Sequence, residues 1–332
     1  MKTLSRVAVL GGGAWGTALA QALSASGHTV TLWARNQPLV DAINTQRVNT
    51  VYLPGVPLSA NIHATSSLAE AARADAILIV VPAQHVGAIC AQLAGFYNSG
   101  TPLIMCAKGI ATGSAKLMAE VVGETLPAAE YAVLSGPSFA ADVAAGLPTA
   151  LTLASRNETL GRRLAESLSS RSMRLYWSSD VRGVELGGAV KNVLAIAAGI
   201  VVGRGLGASA HAAIVARGFA ELRRFAEALG GRPETLMGLS GLGDLILTCG
   251  SPQSRNMSLG RALGAGQSLE HILAARNAVT EGVYTASAVV ALAQRHGIDM
   301  PISETVHAII QQRLTIDEAI DALLSRPLKA ED

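Results

Sequence analysis

Residues 6–10 form a short, β-branched apolar run that gives way to Gly11-Gly12-Gly13-Ala14-Trp15-Gly16, after which alanine and leucine recur at helical spacing over residues 17–26. That order reads as strand, glycine turn and helix. Gly27 ends the helix and residues 29–33 resume a strand pattern, which predicts a βαβ unit with a parallel strand pair. Buried strands are expected again at residues 76–81, 102–106 and 132–134, with helical stretches near 68–74, 86–93 and 115–125 between them. Weaker strands around 150–154 and 174–177 extend or edge the same sheet. Repeated alternation of this kind predicts an α/β fold with a Rossmann-type, doubly wound parallel sheet.

Beyond residue 184 nothing reads as a strand. Helical periodicity covers residues 184–202, 210–229, 267–274, 285–296, 303–312 and 315–324. The expected architecture is therefore an NAD(P)-binding Rossmann domain over residues 1–182 and an all-α substrate and catalytic domain over 183–332, with the boundary near 180–183.

Composition sharpens this picture. A chain of 332 residues exceeds one core at roughly 150 residues per domain. A formal charge of +2, with basic pairs no longer than Arg162-Arg163 and Arg223-Arg224, argues against a nucleic-acid partner. The apolar run 193–202 is too short to span roughly 30 Å of hydrocarbon, so no integral membrane segment is expected. Early alanine-rich residues superficially resemble a secretory signal, but the three glycines at 11–13 interrupt the apolar run and a strand resumes at once. Cys90, Cys106 and Cys249 show no metal-ligand spacing, and a reduced cytoplasmic setting without a bound metal fits them.

The glycine turn carries the first candidate chemistry. Gly11, Gly13 and Gly16 form the G-x-G-x-x-G pattern between a strand and a helix, where a tight turn, close backbone approach and a helix N-terminus together receive a pyrophosphate. NAD-selective sites commonly place a carboxylate at the end of the second strand to bind the ribose. That place here reads Trp33-Ala34-Arg35-Asn36. Arg35 could pair instead with a 2′-phosphate, which tilts the expected cofactor toward NADP over NAD.

The chain has just five lysines: Lys2, Lys108, Lys116, Lys191 and Lys329. Lys108 follows a buried strand at the carboxyl edge, where open α/β sheets bind ligands. Lys191 lies within an otherwise apolar helix, where a lysine either snorkels to water or is kept for chemistry. A carbonyl reductase needs a proton donor beside the reacting oxygen, and a lysine in a dry site near a second cation has its pKa lowered toward the working range. Asp244, within Gly241-Leu242-Gly243-Asp244-Leu245, could orient that ammonium group or simply cap a helix. Ser254-Arg255-Asn256 combines a hydroxyl, a guanidinium and an amide at a helix start. This suits a phosphate dianion, with plain N-capping by Ser254 as the alternative.

Taken in order, several blocks resemble the bacterial NAD(P)-dependent glycerol-3-phosphate dehydrogenase family. They are Gly-Gly-Gly-Ala-Trp-Gly-Thr-Ala-Leu-Ala, Ala107-Lys108-Gly109, Leu134-Ser135-Gly136-Pro137-Ser138-Phe139-Ala140, Val190-Lys191-Asn192, the Asp244 and Ser254 blocks, and Glu281-Gly282. The resemblance implies reversible oxidation of sn-glycerol 3-phosphate to dihydroxyacetone phosphate, feeding glycerophospholipid synthesis. It implies a helical second domain of the 6-phosphogluconate dehydrogenase C-terminal type and a homodimer. Lys191 is then the proton acceptor, assisted by Asp244 and Lys108. Lys108, Gly136, Ser138, Lys191, Asp244, Ser254, Arg255 and Asn256 hold the three-carbon phosphorylated substrate. Gly11, Gly13, Ala14, Trp15, Gly16, Arg35, Asn36, Lys108, Ala140, Arg255, Val279 and Glu281 serve the cofactor. The family often has serine at the place of Ala14, threonine at that of Ser138 and valine at that of Thr280, and altered cofactor affinity is the expected consequence.

Overall fold

The computed structural model describes residues 4–276 and 279–327. It opens with β1 (Arg6–Leu10), α1 (Ala14–Ala25), β2 (Thr29–Trp33), α2 (Gln37–Gln46), a small hairpin of β3 (Val48–Asn49) and β4 (Leu53–Pro57), and β5 (Ile62–Thr65). Next come α3 (Leu68–Ala71), β6 (Ala76–Ile79), α4 (Val86–Leu93), β7 (Leu103–Met105), α5 (Met118–Thr125) and β8 (Tyr131–Ser135). The short α6 (Ala140–Ala144), β9 (Thr149–Ala154), α7 (Glu158–Leu168) and β10 (Met173–Ser178) complete the sheet region.

Eight strands lie in the order β10-β9-β8-β7-β6-β1-β2-β5. The chain builds outward from β1 through β2 to β5, then crosses back to β6 and builds the other way. Such a reversal opens a crevice beyond the carboxyl ends of β1 and β6, and the glycine turn begins there, directly after Leu10. The doubly wound, parallel-dominated sheet is as expected, and the strands at its far edge add one antiparallel pairing. β8 pairs antiparallel with β9, and β10 follows β9 in parallel. A parallel return requires a crossover of a dozen or more residues, usually carrying a helix that runs back along the sheet. The link after β8, residues 136–148, barely reaches that length and its one helix, α6, is five residues long, too short to run back along the sheet, so the chain turns back along the edge instead.

One correction concerns the helix expected from residue 115. Ala115 takes φ 57°, and Ile110 bridges Leu117 in antiparallel fashion, so the helix starts at Met118.

The helical half comprises α8 (Val181–Gly203), α9 (Gly207–Ala228), α10 (Pro233–Leu236), α11 (Asp244–Gly250), α12 (Arg255–Gly264), α13 (Leu269–Ala274), α14 (Glu281–His296), α15 (Pro301–Ile310) and α16 (Ile316–Leu324). Among the described residues no strand follows β10. α8 is long and apolar enough to cross a bilayer, yet every residue from 183 to 200 is buried, as befits a helix apolar all round at the centre of a core. It packs on α9, α11, α12 and α14. A Cβ on Gly199 would sit 2.1 Å from the Met257 carbonyl oxygen, and one on Gly260 2.0 Å from that of Ile196, so glycine on both helices lets the α8 and α12 backbones touch. This contact brings the first turn of α12 level with Lys191 and Asn192.

Candidate active site

α8 enters the core beneath the carboxyl end of the sheet, and its eleventh residue, Lys191, is buried within the helix. Opposite Lys191 stands a π-helical turn, Leu239–Gly243, which leads into α11. A Cβ on Gly187 would meet the Ser240 carbonyl oxygen at 2.6 Å, so that glycine admits the turn against α8 and sets Asp244 beside Lys191.

The Asp244 carboxylate is 1% exposed and holds two ammonium groups at once. Lys191 Nζ donates to its Oδ1 at 2.6 Å, and Lys108 Nζ donates to its Oδ2 at 2.8 Å. Lys108 comes from the loop after β7 and Lys191 from the helical half, so one carboxylate ties the two halves across the cleft. Lys191 also donates to Thr248 Oγ1 at 2.8 Å, and that hydroxyl donates to the Asp244 carbonyl oxygen at 2.6 Å. Lys108 donates further to the Gly136 carbonyl oxygen at 2.9 Å, which accepts from Ser138 Oγ at 3.1 Å as well.

Each ammonium has three donors, and two are spoken for in both lysines. The third N–H of each remains for a ligand. If Lys191 is neutral, its two hydrogens satisfy Asp244 and Thr248 and its lone pair takes the remaining direction. Two cations against one carboxylate leave an excess positive charge in a dry site, which favours a phosphate dianion or a developing oxyanion. Burial pushes the Lys191 pKa down to about 8; Asp244 opposes this, and Lys108 adds to it.

A second polar chain runs beside this cluster. Asn192 Nδ2 donates to the Lys108 carbonyl oxygen at 3.2 Å, Asn256 Nδ2 donates to Asn192 Oδ1 at 2.9 Å, and Asn256 Oδ1 accepts from Gly282 N–H at 2.9 Å. Asn256 thus joins α12, α8 and α14, with one amide hydrogen still uncommitted. Ser254 is the N-cap of α12, accepting from Met257 N–H at 3.2 Å, so the capping alternative is real; its own hydroxyl hydrogen stays available. Arg255 is exposed at the start of α12, and its carbonyl oxygen accepts from Arg276 at 2.7 Å.

Glu281 reaches across from α14 to the sheet region. Its Oε1 accepts from Ala83 N–H at 3.2 Å, while Oε2 is buried without a hydrogen-bond partner among the described residues. Burial raises its pKa, against the Ala83 hydrogen bond and the nearby Arg255 charge. Trp15 Nε1 is likewise buried without a partner. Val279 lies half-buried two residues before Glu281.

At the other end of the cleft, Gly11 N–H donates to the Trp33 carbonyl oxygen at 3.0 Å, tying the turn to the end of β2. Gly11 takes φ +134°, and a Cβ there would meet the Val80 carbonyl oxygen at 2.7 Å. On Gly16 a Cβ would lie 1.8 Å from the Gly11 carbonyl oxygen, so this glycine packs α1 against the turn. Gly13 differs: a Cβ there would meet nothing within 4 Å. Open space above the N-cap of α1, which has no side-chain cap, is what a pyrophosphate needs. Together with the two orphaned polar atoms, this fits a dinucleotide. Ala14 and Trp15 open α1, and Ala140 opens α6, which packs on α1. Arg35 and Asn36 follow β2 away from the lysine cluster. Arg35 is exposed, and Asn36 accepts from Leu39 N–H at 3.1 Å as the N-cap of α2.

The structure adds Asn192 and Thr248 as site residues to which sequence reasoning gave no role. Thr248 stands four residues after Asp244 in an apolar helix, and a buried threonine at that spacing was the available signal.

Comparisons with known proteins agree with this geometry. Residues 6–161 match the family described as NAD-dependent glycerol-3-phosphate dehydrogenase N-terminus, and residues 180–321 match its C-terminus. A protein of Parvibaculum lavamentivorans named glycerol-3-phosphate dehydrogenase, NAD(P)+, is 56% identical over 326 residues, covering 98% of each chain. One of the same name from Caulobacter vibrioides is 54% identical over 99% of each chain. Among solved structures, glycerol-3-phosphate dehydrogenase from Coxiella burnetii superposes with a TM-score of 0.93 at 42% identity, covering 97% of this chain and 99% of that one.

Proposed function

The chain belongs to the NAD-dependent glycerol-3-phosphate dehydrogenase family, and from that premise we propose that it interconverts sn-glycerol 3-phosphate and dihydroxyacetone phosphate with NAD or NADP. The observation that carries the reading is the single buried carboxylate of Asp244 holding ammonium groups from both halves of the chain. A bound nicotinamide supplies the hydride acceptor for oxidation and the donor for reduction. The protein's own residues manage the proton and the phosphate.

In the reductive direction the protonated Lys191 donates its free N–H to the carbonyl oxygen of the substrate. In the oxidative direction the neutral amine accepts the alcohol proton at Nζ. A pKa of about 8 leaves both forms populated near neutrality, with the acid form in excess below that value. Asp244 and Thr248 fix the direction of the amine. Lys108, Gly136, Ser138, Ser254, Arg255 and Asn256 hold the substrate, its phosphate set against the first turn of α12 and the excess positive charge of the two lysines. Gly11, Gly13, Ala14, Trp15 and Gly16 take the pyrophosphate, Arg35 and Asn36 the adenosine end, and Lys108, Ala140, Arg255, Val279 and Glu281 the nicotinamide side. The same proposal divides the chain into domains at residue 182, places it in the cytoplasm at the supply of glycerophospholipid backbones, and makes it a homodimer. Large exposed apolar side chains in the helical half, among them Val202, Leu206 and Ile246, support the last point.

The test is a spectrophotometric assay of the purified protein with dihydroxyacetone phosphate and NADPH or NADH. Oxidation of the nicotinamide that requires the phosphorylated ketone is the expected result. Equal turnover of unphosphorylated dihydroxyacetone would overturn the phosphate-holding roles, and no turnover with either ketone would overturn the activity.

A further inference from the structure

Away from the cleft, where β10 passes into α8, lies an open cavity of about 420 Å³ lined by Arg156, Ser179, Asp180, Val181, Arg182, Gly230 and Arg232. Three arginines line it, with two carboxylates against them: Asp180 in the lining and Glu120, which pairs with Arg182. The arginines come from three separate segments: the loop after β9, the first turn of α8, and the connection between α9 and α10. Close packing holds these segments in place. A Cβ on Gly231 would sit 2.9 Å from Gly183 Cα, so the α9–α10 connection lies directly on the first turn of α8.

Two of the arginines are oriented by neighbours. Arg182 donates to Glu120 at 2.8 Å and to the Leu229 carbonyl oxygen at 3.0 Å, and Arg232 donates to Ser179 Oγ at 2.9 Å. Asp180, the lone carboxylate of the lining, is already occupied: Oδ1 caps Gly183 N–H at 2.9 Å and Oδ2 accepts from Arg232 N–H at 2.8 Å. Arg156 makes no hydrogen bond or ion pair among the described residues. Asp180 Oδ2 also lies 3.8 Å from Arg232 Nε, and Glu120 pairs with Arg182, so two of the three guanidinium charges are offset and that of Arg156 is not. The concavity therefore presents a net positive charge with planar, multidentate donors, the pattern that recognises phosphate oxygens.

We propose that this cavity is a second anion site that binds a ligand bearing two linked phosphoryl groups, bridging Arg156 of the sheet region and Arg232 of the helical half. A single phosphate would fill a small part of the space and reach one or two of the arginines; a diphosphate spans the set. None of the lining residues belongs to the catalytic cluster, so the site is separate from the dinucleotide turn.

Inorganic pyrophosphate is the probe. Isothermal titration of the full chain is carried out with NADH and sn-glycerol 3-phosphate both saturating, a non-reacting pair that fills the cleft. Wild-type protein is expected to bind one pyrophosphate, and Arg156→Ala with Arg232→Ala to weaken it by about tenfold or more, as loss of charge-assisted hydrogen bonds does. Arg156→Glu guards against a folding effect at Arg232, because Arg156 is exposed and makes no direct bond; it too should weaken binding by about tenfold. Turnover of dihydroxyacetone phosphate should stay within about twofold of wild type in all variants, as for surface changes away from the site. Absence of binding to wild type, or equal affinity in wild type and Arg156→Glu, would overturn the proposal. Residual binding that no arginine variant affects would mark pyrophosphate in the cleft itself, and so would also count against the second site.

Discussion

At the β1 end of the cleft the chain offers backbone, and at the α8 end it offers charge. Gly11, Gly13 and Gly16 shape the first by lacking side chains, within six residues of one turn. Lys108, Lys191 and Asp244 shape the second, and they come from positions up to 136 residues apart. The first is a local device whose physics is steric. The second exists only when both halves of the chain have packed, because an unpaired ammonium at Lys191 in that core would cost several kcal/mol without its carboxylate. Binding and chemistry can therefore be broken separately.

The largest effect is expected at the charged end. Lys191→Ala removes the proposed proton donor and acceptor, and turnover should fall by about 10²–10⁴ while NADPH binding, followed by fluorescence, is retained. Wild-type turnover would refute the assigned role. In the native enzyme the pH profile carries the sign: reduction needs the ammonium form and should fall as pH rises through about 8, while oxidation needs the neutral amine and should rise over the same range.

Asp244→Asn should come next. It keeps the shape but removes the negative charge that raises the Lys191 pKa, leaving burial and Lys108 to lower it unopposed. The oxidative limb of the profile should move to lower pH by about one unit or more, with turnover reduced by about 10–100-fold. An unmoved profile would show that Asp244 acts through packing alone.

At the glycine end, two substitutions that look alike should part company. Gly16→Ala puts a Cβ 1.8 Å from a backbone oxygen, so thermal stability and cofactor affinity should both fall. Gly13→Ala meets no protein atom within 4 Å, so Tm should hold while cofactor affinity drops by about tenfold through contact with the ligand itself. Full affinity in Gly13→Ala would remove the turn from the binding site.

The same contrast explains what the sequence made legible. β1, β2 and α4 begin and end where periodicity places them, because each is a local pattern with a clear terminator. β5 and α7 escaped notice: the first is four residues long, and the second carries a glycine, Gly161, in its first half, where the helix packs against Trp177. The reversed edge of the sheet escaped as well, since strand direction follows from the length of α6 and not from any residue in β9. In the site, scarcity of lysine singled out Lys191 and Lys108. The hydrogen-bonded path through Asn192, Asn256 and Gly282 has no local signature, because its members are held together by the α8–α12 contact.

The smallest effect is expected at Arg35, and it tests whether charge matters at the steric end at all. No carboxylate stands at the end of β2 to accept from ribose hydroxyls, and the Asn36 side-chain oxygen is engaged by Leu39 N–H. Arg35 is exposed and makes no hydrogen bond or ion pair among the described residues, so its guanidinium is the group there able to meet a 2′-phosphate. An exposed ion pair is screened by solvent and salt, which limits its value to roughly 1 kcal/mol. Arg35→Ala should therefore lower the NADPH-to-NADH preference by about fivefold at low salt, through the KM for NADPH, and leave the KM for NADH unchanged. The difference between wild type and variant should shrink as ionic strength rises. An unchanged preference would mean that the adenosine end is read by shape alone, and the division between a steric end and a charged end would then be complete.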